Sequence, residues 1–163
     1  SALYHGVHWR ERSRVWMRRA DHSMIFVTIA GIFTLVGMYL IEPGLGQGLL
    51  VFFWSAAVIG TLIKLLWIEA PRRLSTGLYL LVSWAAILAF PGLREAIGLA
   101  PTLFMLLGGV TISLGAISYA RKTPNPIPGV FGYHEVFHAC VLFGLATFYT
   151  VLLRHFLALP ITT

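Results

Sequence analysis

The chain has 163 residues, of which 58% are hydrophobic and only 11% are charged, and its mean hydropathy is +0.81. About a quarter of the residues are charged in ordinary soluble domains, so this composition excludes a soluble globular protein and indicates an integral membrane protein. The net charge of +6 would suggest nucleic-acid binding in a soluble protein. In a membrane protein the positions of the charges set orientation instead, and we expect no nucleic-acid partner.

Five apolar stretches are long enough to cross the hydrocarbon core, which requires about 20 helical residues. Proline and glycine mark the connections between them, at Pro43-Gly44, Pro71 and Pro91-Gly92, and a proline-rich loop precedes the last stretch. The sequence therefore predicts an all-α transmembrane bundle of five complete helices forming one domain, 1–163. The predicted spans are 22–41, 46–68, 74–91, 101–120 and 133–157.

Several glycines fall inside the predicted spans. In lipid, glycine at such a position usually allows two helices to approach closely. We therefore expect helix contacts at glycines 31, 37, 60, 108, 109, 115 and 144.

Basic residues alternate between the two sides of the predicted membrane. Ten lie on one side, and only Arg94 and Arg154 lie on the other. Because cytoplasmic loops are enriched in Lys and Arg, segments 6–20, 69–73 and 121–132 are predicted to be cytoplasmic and the C-terminus to lie outside. Residues 1–20 have no apolar core of a signal peptide, so we expect the first apolar span to direct insertion into the membrane. The expected location is the plasma or inner membrane.

The last span opens with His134-Glu135-Val136-Phe137-His138, an HExxH sequence. Two histidines four residues apart share one helical face and can bind one metal ion, with the glutamate as a proton acceptor. Glu135 lies about 100° round the helix from His134, which makes it the weaker catalytic candidate. The spacing alone leaves open a metal site or two hydrated interfacial histidines.

Topology brings other polar residues to the same membrane level. His5 comes just before the first basic segment and Asp21 just after it, so both lie near the predicted cytoplasmic side with His134 and His138. The three histidines would give zinc three nitrogen ligands and leave a fourth position for water, which Asp21 could orient unless it ligates the ion directly. Zinc is favoured over iron or copper because neither a soft sulfur ligand nor a redox partner is evident. Asp21 as a helix N-cap and His5 as an interfacial residue are the plainer alternatives.

Three motifs resemble the signature motifs of the hemolysin III family, which belongs with the progestin and adipoQ receptors, including the adiponectin receptors. The resemblance covers essentially the whole chain. It implies a seven-helix bundle with zinc on His5, His134 and His138. The family's first helix and most of its second are missing here, so residues 1–20 are interpreted as the end of a truncated helix followed by a basic cytoplasmic loop. The resemblance also places Asp21 beside the water at the metal and Ser1 one turn before the first histidine. The motifs are Ser1-Ala2-Leu3-Tyr4-His5, Arg19-Ala20-Asp21-His22-Ser23 and Gly132-Tyr133-His134-Glu135-Val136-Phe137-His138.

The leading functional hypothesis is a zinc-dependent hydrolase of a lipid amide or ester, because receptors of this superfamily are associated with ceramide hydrolysis. Zinc would activate water and polarise the acyl carbonyl, and Asp21 would take the proton, with Glu135 as the weaker alternative. A receptor or membrane regulator with structural zinc is the second hypothesis, and a pore-forming hemolysin is the third. The expected partners are membrane lipids, including a lipid substrate, and a homo-oligomer is left open.

Overall fold

The computed structural model describes residues 9–67 and 69–157, except for the side chain of Arg12. Helices account for most of this part of the chain, and its one β-interaction is an isolated bridge between Ile127 and Phe131. The α-helices are α1 (Glu11–Tyr39), α2 (Pro43–Leu66), α3 (Arg72–Trp84), α4 (Phe90–Ile97), α5 (Leu99–Arg121) and α6 (Tyr133–Leu157), and a 3-10 helix (Ala85–Ala89) joins α3 to α4.

Five helical stretches are long and apolar enough to cross a membrane, and the third combines α3, the 3-10 helix and α4. In hydrocarbon no water is present to satisfy backbone N–H and C=O groups, and a helix satisfies them within its own segment. The predicted all-α fold with five spans is therefore confirmed. The stretches are Ser13–Tyr39, Pro43–Leu66, Arg72–Ile97, Leu99–Arg121 and Tyr133–Leu157.

Two boundaries differ from the sequence-based expectation. Residues 11–20, predicted as part of a basic loop, form the first turns of α1. Arginine, methionine and alanine are good helix formers, and no breaker separates them from the apolar span. Pro91 does not end the third span either, because it lies in the first turn of α4, where its missing N–H breaks no helical hydrogen bond. The chain turns at Gly98, whose φ of 84° favours glycine.

Residues 1–75 and 76–163 form two compact units. In the first unit α1 packs along α2, and the rings of Phe33 and Phe53 stack with centroids 4.3 Å apart. The indole N–H of Trp54 donates a hydrogen bond to Thr34 Oγ1 at 3.0 Å, which adds a polar link between the two helices.

Lys64, in the last turn of α2, is 2% exposed. Its ammonium group donates a hydrogen bond to the hydroxyl of Ser75, which lies in the first turn of α3 and is also buried. Because a buried amine is costly without a polar partner, this contact stabilises the connection between α2 and α3.

In the second unit α5 packs along α6 through small residues. A Cβ added to Gly115 would lie 2.6 Å from Cys140 Cβ, and one added to Gly144 would lie 2.8 Å from the carbonyl oxygen of Gly108. The predicted close approach is confirmed at glycines 37, 60, 108, 115 and 144. At Gly31 and Gly109 an added Cβ would meet no atom within 4 Å in the described part of the chain, so no close approach is seen there.

The close contacts between α5 and α6 at Gly108, Gly115 and Gly144 form a glycine seam. Gly108, which belongs to the seam, and Gly109, which does not, are a matched pair for testing it. A methyl group at Gly108 would strike the hydroxyl of Thr147, so we expect Gly108→Ala to lower the free energy of unfolding by about 1–3 kcal/mol. Gly109→Ala meets open space and is expected to be neutral, or stabilising by up to about 1 kcal/mol through helix propensity. Thermal unfolding of the two purified variants measures the difference. Equal changes in both would contradict the close packing of α5 on α6.

Candidate metal centre

The start of α6 is fixed by side chains that accept hydrogen bonds from its first N–H groups. The Gly132 N–H donates to Glu135 Oε2 at 2.8 Å, and the Tyr133 N–H donates to Asn125 Oδ1 at 3.0 Å. These bonds satisfy donors that a helix start leaves without intrahelical partners. They also set the position along the chain at which His134 enters the helix.

His134 and His138 lie one turn apart on one face of α6, as their spacing predicts. Their Nε2 atoms are 3.1 Å apart, and their ring planes meet at 84° with centroids 4.6 Å apart. Both side chains are half-buried. With neutral rings, one Nε2–H can donate a hydrogen bond to the other Nε2, so both nitrogens are directed at the same small region.

This nitrogen pair fits a zinc ion. Two imidazole nitrogens at about 2.0–2.1 Å from tetrahedral zinc are about 3.3–3.4 Å apart, and the two Nε2 atoms are 3.1 Å apart. A small opening of the pair would therefore accommodate the ion. Neutral imidazole is also one of the donors that zinc prefers in proteins.

Aromatic side chains surround the histidine pair within the second unit. The ring of Tyr119, from the last turns of α5, lies 5.7 Å from the His134 ring and 5.3 Å from the Phe137 ring. Phe137 in turn lies 5.5 Å from His138. Sequence reasoning missed Tyr119, because its place depends on which helix packs against α6. One sequence signal could have identified Tyr119: it lies just before the last predicted cytoplasmic loop, and therefore at the same depth in the membrane as His134.

The remaining predicted residues lie elsewhere in the chain. Asp21 belongs to α1 in the first unit, and its Oδ2 is 3.9 Å from His22 Nδ1, which also lies 2.9 Å from the carbonyl oxygen of Arg18. Because α1 begins at Glu11, Asp21 is inside the helix, and its interpretation as an N-cap is wrong.

Ser1 and His5 lie outside the described residues. Within 9–67 and 69–157, no group of three or more His, Cys, Asp or Glu side chains is arranged to hold a metal. The full set of His5, His134 and His138 with Asp21 therefore stays a prediction.

Glu135 has a role at the helix start that the HExxH pattern does not reveal. Its carboxylate is exposed and accepts the Gly132 N–H. We expect Glu135→Ala to lower the melting temperature, and Glu135→Gln to do so much less, because the amide oxygen can still accept this hydrogen bond. If the protein binds zinc as the sequence predicts, both purified variants should bind as much zinc as the unmodified protein. Loss of zinc in both would instead indicate that Glu135 is a metal ligand.

The five spans and the HExxH sequence at the start of the last one define a multi-pass helical membrane protein with a histidine pair at one end of its final helix. The chain belongs to the haemolysin-III related family, whose sequence profile matches residues 1–149. The family identified from the three motifs is thereby confirmed.

Individual relatives agree with this assignment. The chain is 31% identical to a hemolysin-3 homolog of Bacillus subtilis strain 168 over 160 residues, which cover 98% of this chain and 72% of the relative. It is 30% identical to a hemolysin-3 of Bacillus cereus over 158 residues, which cover 96% of this chain and 68% of that relative. No solved structure matches the chain.

Proposed function

We propose that this protein binds zinc at the start of its last span and hydrolyses the amide or ester bond of a membrane lipid. The observation that carries the proposal is the convergence of the His134 and His138 Nε2 atoms, 3.1 Å apart, on one face of α6. A pair of neutral nitrogens with this separation suits a single zinc ion, and placing two such polar groups near apolar helices is costly without a purpose.

The proposed ligands are His134, His138 and His5, the last carried over from the family motif. When bound, zinc supplies a Lewis acid that polarises an acyl carbonyl and activates water. The rings of Tyr119 and Phe137 lie beside the imidazoles of His134 and His138 and would limit their rotation when they hold an ion. Asp21 is proposed to hold the attacking water and accept its proton.

The short connections and the exposed apolar helix surfaces of the described part of the chain favour a lipid substrate. The described helices are joined by short connections, the longest being 122–132, so none of them provides a soluble domain for binding a water-soluble substrate. Apolar side chains on α6, including Leu142 and Phe143, are exposed on its surface, as expected for a helix that faces acyl chains. An acyl lipid can therefore approach the histidine pair from the membrane.

Membrane lysis is the second candidate function, because both relatives carry the name hemolysin-3. This candidate requires no zinc and no hydrolysis. The same purified protein can be tested for lysis of erythrocytes with and without its histidines.

The test compares His134→Ala and His138→Ala with His155→Ala, a matched control near the other end of the same helix. The zinc content of the purified full-length proteins is measured by elemental analysis. Their hydrolytic activity is measured as the release of fatty acid from a panel of ceramides and acyl lipids. We expect the unmodified protein and the control to contain zinc and release fatty acid. Both site variants should lose the zinc and the turnover, because each removes one ligand.

Other results would lead to different conclusions. Stoichiometric zinc without turnover of any lipid, together with a lower melting temperature after chelation, would overturn the hydrolase proposal and favour structural zinc. Lysis of erythrocytes that survives loss of both histidines would favour the hemolysin alternative. Absence of zinc from the unmodified protein would contradict the metal site itself.

A further inference from the structure

A cleft of about 610 Å³ lies in the first unit, between the first turns of α1 and the end of α2. Its volume is within the roughly 300–1,000 Å³ typical of ligand-binding clefts. Three arginines from α1 line it, namely Arg14, Arg18 and Arg19. The histidine pair is not part of this lining, and the proposed hydrolysis makes no use of the three arginines.

We infer that this cleft binds the phosphate of a membrane phospholipid headgroup. Arginine suits this ligand because its planar guanidinium can donate two parallel hydrogen bonds to phosphate oxygens. Basic clefts between the ends of transmembrane helices are a recurrent binding place for lipid headgroups, especially on the cytoplasmic side. The charge distribution predicts that this end of α1 faces the cytoplasm.

The three guanidinium groups are available to such a ligand. Two glutamates, Glu11 and Glu69, also line the cleft, but within the described part of the chain neither forms an ion pair with these arginines. Arg19 Nε is buried and has no hydrogen-bond partner there. A buried N–H donor without a partner is costly, so a shift of the Arg19 side chain that lets a phosphate oxygen in the cleft accept this hydrogen bond would be favourable.

Arg19 is also held in place by an aromatic contact. Its guanidinium carbon lies 5.0 Å from the centroid of the Trp16 ring. This cation–π contact limits the freedom of a long side chain, so less conformational entropy is lost when it binds an anion.

The two glutamates indicate which headgroups fit. With three arginines and two glutamates, the lining carries a net charge of +1. The carboxylates can accept hydrogen bonds from the ammonium group of phosphatidylethanolamine or the hydroxyl groups of phosphatidylglycerol. Phosphatidylcholine has no such donor, so we expect it to bind more weakly.

Apolar side chains complete the cleft. Leu66 ends α2 and is 83% exposed, and Trp67, which follows it, is 53% exposed. With Val15 from α1 they place apolar surface beside the phosphate-binding groups. Tryptophan is favoured at the level of lipid headgroups because it combines an apolar ring with an N–H donor. A lipid fits this combination better than a free anion does.

The first experiment uses delipidated full-length protein in detergent. Melting temperatures and native mass spectra are recorded with phosphatidylglycerol, phosphatidylethanolamine, phosphatidylcholine or inorganic phosphate. We expect the first two lipids to be retained and to raise the melting temperature well above the effect of phosphatidylcholine. An equal effect of inorganic phosphate would overturn the assignment to a lipid, and equal effects of all three lipids would overturn the role of the headgroup.

The second experiment compares two double variants that each remove two positive charges. Arg14→Gln/Arg18→Gln changes the cleft, whereas Arg121→Gln/Lys122→Gln changes exposed residues at the end of α5 that do not line it. At roughly a factor of five per basic residue, the cleft variant should lose about 30-fold in apparent affinity for phosphatidylglycerol, and the control should lose much less.

Equal losses in the two variants would show only a general attraction to anionic lipid and would overturn the inference. If the Gln variant does not fold, Arg14→Lys/Arg18→Lys replaces it. Lysine keeps the charge but loses the paired hydrogen bonds, so an intermediate affinity is expected. Unchanged affinity in the Lys variant would contradict recognition by guanidinium groups.

Discussion

The constraint on which this structure depends is that hydrocarbon offers no water to satisfy polar groups. A buried polar group is therefore stabilised by a partner in the protein, as Lys64 is by Ser75, or by a hydrogen bond to its own helix. Thr147 is stabilised in the second way, since its hydroxyl donates to the carbonyl oxygen of Gly144 at 2.7 Å. His134 and His138 can likewise satisfy one another, but ionisable residues in a membrane-spanning segment are rare and usually functional, which is why the proposed function rests on this pair.

The geometry of the histidine pair follows from two local structures in the second unit. Asn125 and Glu135 fix the first turn of α6, in which His134 lies, and the helical period then places His138 on the same face. The glycine seam lets α5 approach α6 closely enough for Tyr119 to contact His134. Packing along the seam and orientation of the imidazoles are consequently coupled, because a Cβ added at Gly115 would lie 3.4 Å from the Cα of Phe137, whose ring lies beside His138.

Features encoded locally in the sequence could be predicted, and features that depend on packing could not. The hydropathy of the sequence predicts the five spans, and the four-residue spacing of His134 and His138 predicts that both lie on one face of the last helix. The start of α1 at Glu11 was missed because arginine-rich helix and arginine-rich loop look alike without an apolar periodicity. Pro91 was misjudged because proline signals a break in most positions but is tolerated in the first turn of a helix. Tyr119 required knowledge of helix neighbours, which a single sequence does not supply.

X-ray absorption spectroscopy of the purified full-length protein would reveal the ligands of a bound zinc ion. We expect three nitrogen ligands at about 2.0–2.1 Å, one oxygen and no sulfur, with fewer histidine nitrogens after His138→Ala. A sulfur ligand would contradict this expectation. So would a zinc spectrum that stays unchanged when both His134 and His138 are replaced.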